Sequence, residues 1–174
     1  MRNHDILKTK AAIVIAVLFF ALAFTFAGCS QSADELYAEG KKLILDEETF
    51  DSGMELLLRF EKKFPKDQRA PEVMLALSTA YQSREKFNEA ADYFKRLIEQ
   101  YPVSDEAYKG MFLLGYMYYE EMKDENKARS TFDTFIEMYP DSELTVSARI
   151  LVENIGLPVE EWSVVRSLTQ PQEQ

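Results

Sequence analysis

The chain has 174 residues, 47% of them hydrophobic, with 20 basic residues against 30 acidic and a formal net charge of −10. A body this acidic repels phosphates, so neither nucleic acid nor an anionic headgroup surface is an expected partner. The only histidine is His4 and the only cysteine Cys29, which leaves nothing downstream for a Cys/His zinc site, a haem, or a Ser-His-Asp or Cys-His triad.

The first element is an export signal. Met1 to Lys10 carries Arg2, Lys8 and Lys10 against Asp5, and Ala11 to Phe26 then runs sixteen residues with nothing more polar than Thr25. The small pair Ala27-Gly28 delivers the chain to Cys29, so a charged region, an apolar region and a small-residue cleavage site follow in order. Two other readings stay open. An uncleaved anchor of this length, at about 1.5 Å per residue, barely spans a hydrocarbon core of roughly 30 Å; or an ordinary secretory signal is cut nearby and Cys29 is incidental. A lone free thiol in an oxidising compartment would be a liability.

The order resembles a bacterial lipoprotein signal, with the box Phe26-Ala27-Gly28-Cys29 and Phe26 where that family prefers Leu. The resemblance implies that residues 1–28 are removed, that Cys29 is lipidated, and that 29–33 is a tether holding the protein to a membrane. Ser30 follows, not the Asp that retains such proteins at an inner membrane, which favours the periplasmic face of an outer membrane. In an organism without one, the plasma membrane takes its place. Without residues 1–28 the chain keeps 146 residues, 17 basic and 29 acidic, with net charge −12. That is enough for one domain with a core.

Three prolines organise this domain. Phe64-Pro65, Tyr101-Pro102 and Tyr139-Pro140 each close an amphipathic run, 37 and 38 residues apart. Aligned on them, Gly53, Ala90 and Ala128 share one position, Leu57, Phe94 and Phe132 a second, and Phe60, Leu97 and Phe135 a third. Each unit reads as two helices; in the second these are Ala70 to Ser83 and Asn88 to Gln100, with the turn Arg84 to Phe87 between them. A small residue at position 90 lets two helices approach to about 8–10 Å. Leu at 90 should therefore overfill the crossing, whereas Gly53 is expected to accept Ala more easily, the gain in helix propensity working against any crowding. Pro65, Pro102 and Pro140 stop the second helices. Asp67, Ser104 or Asp105, and Asp141 or Ser142 stand where caps are wanted.

This pattern resembles the tetratricopeptide repeat, W-x2-L-G-x2-Y, then A-x3-F, then P. The second unit supplies Met74, Leu77-Ser78, Tyr81, Ala90, Phe94 and Pro102; the third supplies Met111, Leu114-Gly115, Tyr118, Ala128, Phe132 and Pro140. The first matches through Tyr37, Gly40-Lys41, Ile44, Gly53, Leu57 and Pro65, and no unit has the Trp. The resemblance implies an all-α fold over residues 34–156: a right-handed superhelical array of three hairpins with a capping helix at 141–155. Together with the lipid signal, the Tyr-Pro-x-Ser ends and the period above 34 look like the lipoproteins of the outer-membrane barrel-assembly machinery, and less closely like the periplasmic coordinator of the Tol–Pal system. The barrel-assembly lipoproteins carry more repeats than the three here.

Past the array, Gly156 is placed to end a helix and Pro158 forbids continuation. In residues 157–174, Trp162, Val165 and Leu168 stand at helical spacing before a polar tail. This short helix folds back on the last repeat or is free for a partner.

In such arrays the first helices line the inner surface. The family's concave positions fall on Glu35, Ala38, Lys42 and Leu45, on Glu72, Leu75, Thr79 and Gln82, and on Lys109, Phe112, Tyr116 and Tyr119. Phe112, Tyr116 and Tyr119 cannot all be core, because Met111, Leu114, Gly115 and Tyr118 already fill the inward face. Leu75, Lys109, Phe112, Tyr116 and Tyr119 are thus candidates for partner contact, unless the capping helix or the Trp162 segment covers the aromatic ones. The resemblance implies a non-catalytic, membrane-anchored scaffold that binds a segment of another envelope protein in outer-membrane protein assembly. No cofactor, metal or small-molecule substrate is expected. The alternatives are a self-associating structural lipoprotein and an accessory or carboxylate-dependent cell-wall glycan hydrolase; the last needs two buried acids about 5–9 Å apart.

Overall fold

The structure is a computed structural model that describes residues 31–162. The signal segment, Cys29, and Val165 and Leu168 of the expected C-terminal helix lie outside the described residues. Helices α1 (Ala33–Leu43) and α2 (Phe50–Lys63) form the first hairpin, α3 (Ala70–Ser83) and α4 (Phe87–Gln100) the second, and α5 (Asp105–Glu120) and α6 (Glu125–Met138) the third. α7 (Thr145–Asn154) packs on α6 as the cap, and a 3-10 turn follows at Val159–Glu161. Each second helix also packs on the first helix of the next unit, and α3 touches α5. This is the tetratricopeptide-type superhelical array that the three prolines foreshadow.

The periodicity that forms each helix also sets its buried face. In α4, Ala90, Ala91, Phe94 and Leu97 are buried, while Asp92, Lys95 and Glu99 are exposed. Burying a side chain such as Phe94 or Leu97 contributes about 1.5–3 kcal/mol. α5 is held on more sides, burying Ala107, Gly110, Met111, Leu114, Gly115, Met117 and Tyr118. One core cluster joins Leu36, Leu57, Phe60, Val73 and Leu77; a larger one runs from Ala90 and Phe94 through Phe132 and Phe135 to Ala148 and Ile155.

The helix ends repeat as faithfully as the cores. The N–H groups of Phe64, Tyr101 and Tyr139 donate to the carbonyls of Phe60, Leu97 and Phe135 at 2.8, 3.0 and 2.9 Å, and a proline then ends each helix. The Tyr101 hydroxyl donates to the Pro65 carbonyl at 2.8 Å, and the Tyr139 hydroxyl to the Pro102 carbonyl at 2.9 Å. Each closing tyrosine is thus bonded to the closing proline of the unit before it. Gly156, at φ +86, follows α7 in the left-handed region that favours glycine.

Two expectations need correction. Gly53 has no room for a methyl group: a Cβ there would lie 2.5 Å from the Ile44 nitrogen and 2.8 Å from the Leu43 carbonyl carbon. The last turn of α1 crosses directly over Gly53, whereas Ala90 and Ala128 sit fully buried at crossings wide enough for their Cβ. The second correction concerns caps. Ser104 caps α5, its hydroxyl accepting from the Ala107 N–H at 3.1 Å; Ser142 accepts from the Leu144 N–H but does not cap α7, whose first flanking residue is Leu144. Asp67 does not cap α3, whose first flanking residue is Arg69.

Asp67 instead accepts from the Arg69 N–H at 2.9 Å and from its guanidinium through both oxygens at 2.8 Å. The guanidinium also bonds Asp34 of α1 at 2.7 Å and lies 5.0 Å from the Tyr37 ring and 5.5 Å from that of Phe60. Arg69 therefore ties the first unit to the second. Its side-chain and backbone hydrogen bonds hold the Asp67 carboxyl down to about 2 from the ordinary 3.8. A depressed native pKa gives stability that is complete above the unfolded value and lost as pH falls through about 2. Urea midpoints should therefore drop between pH 4 and 2, and Asp67→Asn should be less stable at neutral pH yet show a flatter acid limb. An unchanged acid slope in that variant would detach Asp67 from the effect.

Candidate functional site

Between α1 and α3, with Phe50 of α2 and Leu113 of α5 in its lining, lies a groove of about 540 Å³. Leu45, Phe50, Leu75, Ala76 and Leu113 supply its apolar lining, and Thr79 lies along it. Leu45 is 87% exposed, because the chain has left α1 and turns toward α2 at that point. Leu75 and Leu113 are half-buried, each with one side on the core. The Thr79 hydroxyl donates back to its own helix, to Ala76 at 3.0 Å, so it asks nothing of an occupant.

One end of the groove is polar and fixed. Lys41 pairs with the Glu72 carboxylate at 2.9 Å, and the Tyr37 hydroxyl donates to the other oxygen at 2.6 Å. The Lys41 and Tyr37 hydrogen bonds hold the Glu72 carboxyl below its usual range, so it stays ionised at neutral pH. The hydrogen bond to Glu72, followed by burial, pushes Tyr37 up to about 12. Lys41 and Glu72 are each about 38% exposed, which makes this a rim pair of modest energy that sets orientation.

Leu45, Glu72, Leu75 and Thr79, all expected on the inner surface, come together in this groove. The candidates on α5 are distributed differently. Lys109 is exposed, its ammonium 5.6 Å from the Tyr108 ring. Phe112 packs against Phe132 and Phe135 at 5.5 and 5.8 Å, and Tyr119 is half-buried on the same core. Tyr116 is 42% exposed. None of these four lines the groove. Sequence reasoning missed Ala76 and Leu113, which share one position of the repeat. The available signal was an apolar side chain one residue beyond the expected row, in both units.

Among the described residues the buried polar side chains are Ser78, Thr145 and Asn154. No two buried acids face one cleft there, as the hydrolase alternative requires, and no group of side chains among them could hold a metal. No helix among the described residues is long and apolar enough to cross a membrane. At the C-terminal end the Trp162 indole N–H donates to the Leu157 carbonyl at 3.2 Å.

Paired helices stacked into an array with an open apolar groove define a tetratricopeptide-type scaffold protein. The chain belongs to the YfiO family of outer membrane lipoproteins, whose family model matches residues 30–158. Comparison with curated proteins finds no match. Family membership makes this a non-enzymatic, lipid-anchored protein of the outer membrane, facing the periplasm.

Proposed function

We propose that the protein is tethered through a lipid on Cys29 and takes an apolar segment of another envelope protein into the groove between α1 and α3, in the service of outer-membrane protein assembly. The observation that carries this reading is Leu45, 87% exposed beside Leu75 and Leu113, with the Lys41–Glu72 pair at one end of the row. A solvated leucine beside two half-buried ones is an incomplete apolar contact, and an extended peptide with alternate apolar side chains would complete it. Residues 29–33 then act as the tether and 34–156 as the binding domain, with 157–174 as a C-terminal short helix and polar tail. Cys29→Ala should abolish incorporation of labelled fatty acid into the protein in growing cells. Label equal to that of the parent would remove Cys29 from the anchor.

A photoreactive residue at position 79 tests the groove. It should give a crosslink to a defined envelope protein, and Leu45→Lys should weaken that crosslink about tenfold, or 1.4 kcal/mol in affinity. The same change should move stability by no more than about 0.5 kcal/mol, because Leu45 makes few contacts. The exposure of Tyr116 favours a second reading, in which Lys109, Phe112, Tyr116 and Tyr119 carry the partner. If Tyr116→Ser weakens capture and Leu45→Lys does not, the aromatic run of α5 is the surface and the groove is not.

A further inference from the structure

The two edges of the array differ in what they expose. The starts of α1, α3 and α5 and the ends of α2 and α4 share one edge. Arg69, just before α3, there bonds Asp34 of α1 at 2.7 Å, and the Tyr101 hydroxyl at the end of α4 reaches the Pro65 carbonyl at 2.8 Å. Cys29 precedes Ala33, the first residue of α1, by four residues, so a lipid on it is held within at most about 14 Å of this edge. The turns between α1 and α2 and between α3 and α4 lie at the opposite edge, joined by the Arg84–Glu47 pair.

Three exposed positions recur at the turns of the first edge, and their charge changes along it. They are Lys62, Lys63 and Lys66 in the first unit, Glu99, Gln100 and Val103 in the second, and Glu137, Met138 and Asp141 in the third. The basic end is therefore the end from which the tether leaves. Most acids close to these lysines are engaged, Asp34 and Asp67 by Arg69 and Glu61 by Arg96, and Glu35 is the other acid at the start of α1. Val103, at the tip of the second turn, is 97% exposed.

We propose that the first two turns of this edge rest on the phospholipid surface that carries the anchor, with Lys62, Lys63 and Lys66 against phosphates and Val103 in the headgroup layer. The inference rests on Cys29 being the lipidated residue. A tether this short brings these turns to the surface and leaves the opposite edge, with Leu45, facing away from it. The net charge of −10 opposes an anionic surface as a whole. Lysines next to that surface attract it within a Debye length of about 8 Å, whereas the acids of the third turn, two hairpins away, are screened. An aliphatic side chain as exposed as Val103 sheds its water on entering the headgroup layer.

The test uses the acylated lipoprotein, in which an introduced cysteine is the only free thiol, in vesicles of phosphatidylethanolamine and phosphatidylglycerol. A nitrobenzoxadiazole label on Val103→Cys should be quenched by doxyl-labelled lipid about threefold more strongly than the same label on Leu45→Cys. Both side chains are almost fully exposed, 97% and 87%, so neither change threatens folding. Lys62→Glu, Lys63→Glu and Lys66→Glu together should bring quenching at 103 down to the level at 45. Equal quenching at the two positions, or quenching at 103 that survives the charge reversal, would overturn the proposal. So would a label shift at 103 that rises with protein concentration at fixed lipid, since the occupant would then be a second copy. Mass spectrometry of the same preparation reads Cys29. Protein without acyl chains would remove the anchor and this inference together, whereas acylated protein with an unquenched label at 103 would overturn this inference alone.

Discussion

Phe132→Ala should destabilise the repeat domain by about 3–5 kcal/mol, the range for truncating a large buried aromatic. Phe132 is fully buried, and its ring lies where a Cβ on Gly115 would meet it at 2.8–3.0 Å. The Phe112 ring, from the same helix as Gly115, packs against it at 5.5 Å. This ring holds α5 to α6, and the glycine opposite it leaves space that no neighbour can extend a side chain to fill. Collapse around the cavity is therefore restricted, which points to the upper half of the range. Domains of this size keep only about 5–15 kcal/mol in total, so the change removes a large share of it and should lower the melting temperature by on the order of 10 °C. Urea and thermal melts of the parent and variant measure this directly. A loss under about 1 kcal/mol would mean that α5 and α6 are not held together by this ring.

The second large effect is expected at Gly53. Adding one methyl group, Gly53→Ala, should cost about 2–3 kcal/mol, because the atoms it meets are the backbone of Leu43 and Ile44 at 2.5–2.9 Å. A side-chain end could rotate away; a backbone amide cannot without moving the end of α1. The better helix propensity of alanine returns up to about 1 kcal/mol, too little to reverse the sign. Urea melts decide the matter, and a neutral or stabilising result would show that α1 does not cross here as closely as described. The equivalent alanines are the natural comparison, since Ala90 and Ala128 are fully buried without such a clash.

The repeat was legible because its signal is local and recurs: a proline that cannot continue a helix, a small residue twelve positions before it, a large apolar one (Leu57, Phe94, Phe132) eight before. The expected bounds of α3 agree with those observed, and α4 begins one residue early, at Phe87. Ser104 was readable as a cap because a hydroxyl just before a helix has an N–H within reach. Asp67 looked the same in sequence, but the helix starts only at Ala70, so the N–H within its reach is that of Arg69, ahead of the helix, and the Arg69 guanidinium takes both its oxygens.

The groove was only partly legible. Its apolar row depends on how far α3 and α5 are turned toward each other, and one helical position, 100° of rotation, separates Phe112 from Leu113. Gly53 was misread for a related reason. Sequence shows that a position is small, but not whether the next atom over is a movable side chain or fixed backbone.

The tyrosine–proline bonds have a bearing on how such an array could lengthen. Pro65 and Pro102 each accept a hydroxyl from the tyrosine one unit later, and the residue before Pro65 is Phe64, which has no hydroxyl to give. A duplicated copy of the second or third unit would bring both a donor for the unit behind it and an acceptor for the one ahead. It would join in register without further mutation. A copy of the first unit inserted between existing ones would leave a proline carbonyl unbonded and a gap in the ladder. Growth by gene duplication is thus chemically easy from the middle or the end of this array and penalised at its start.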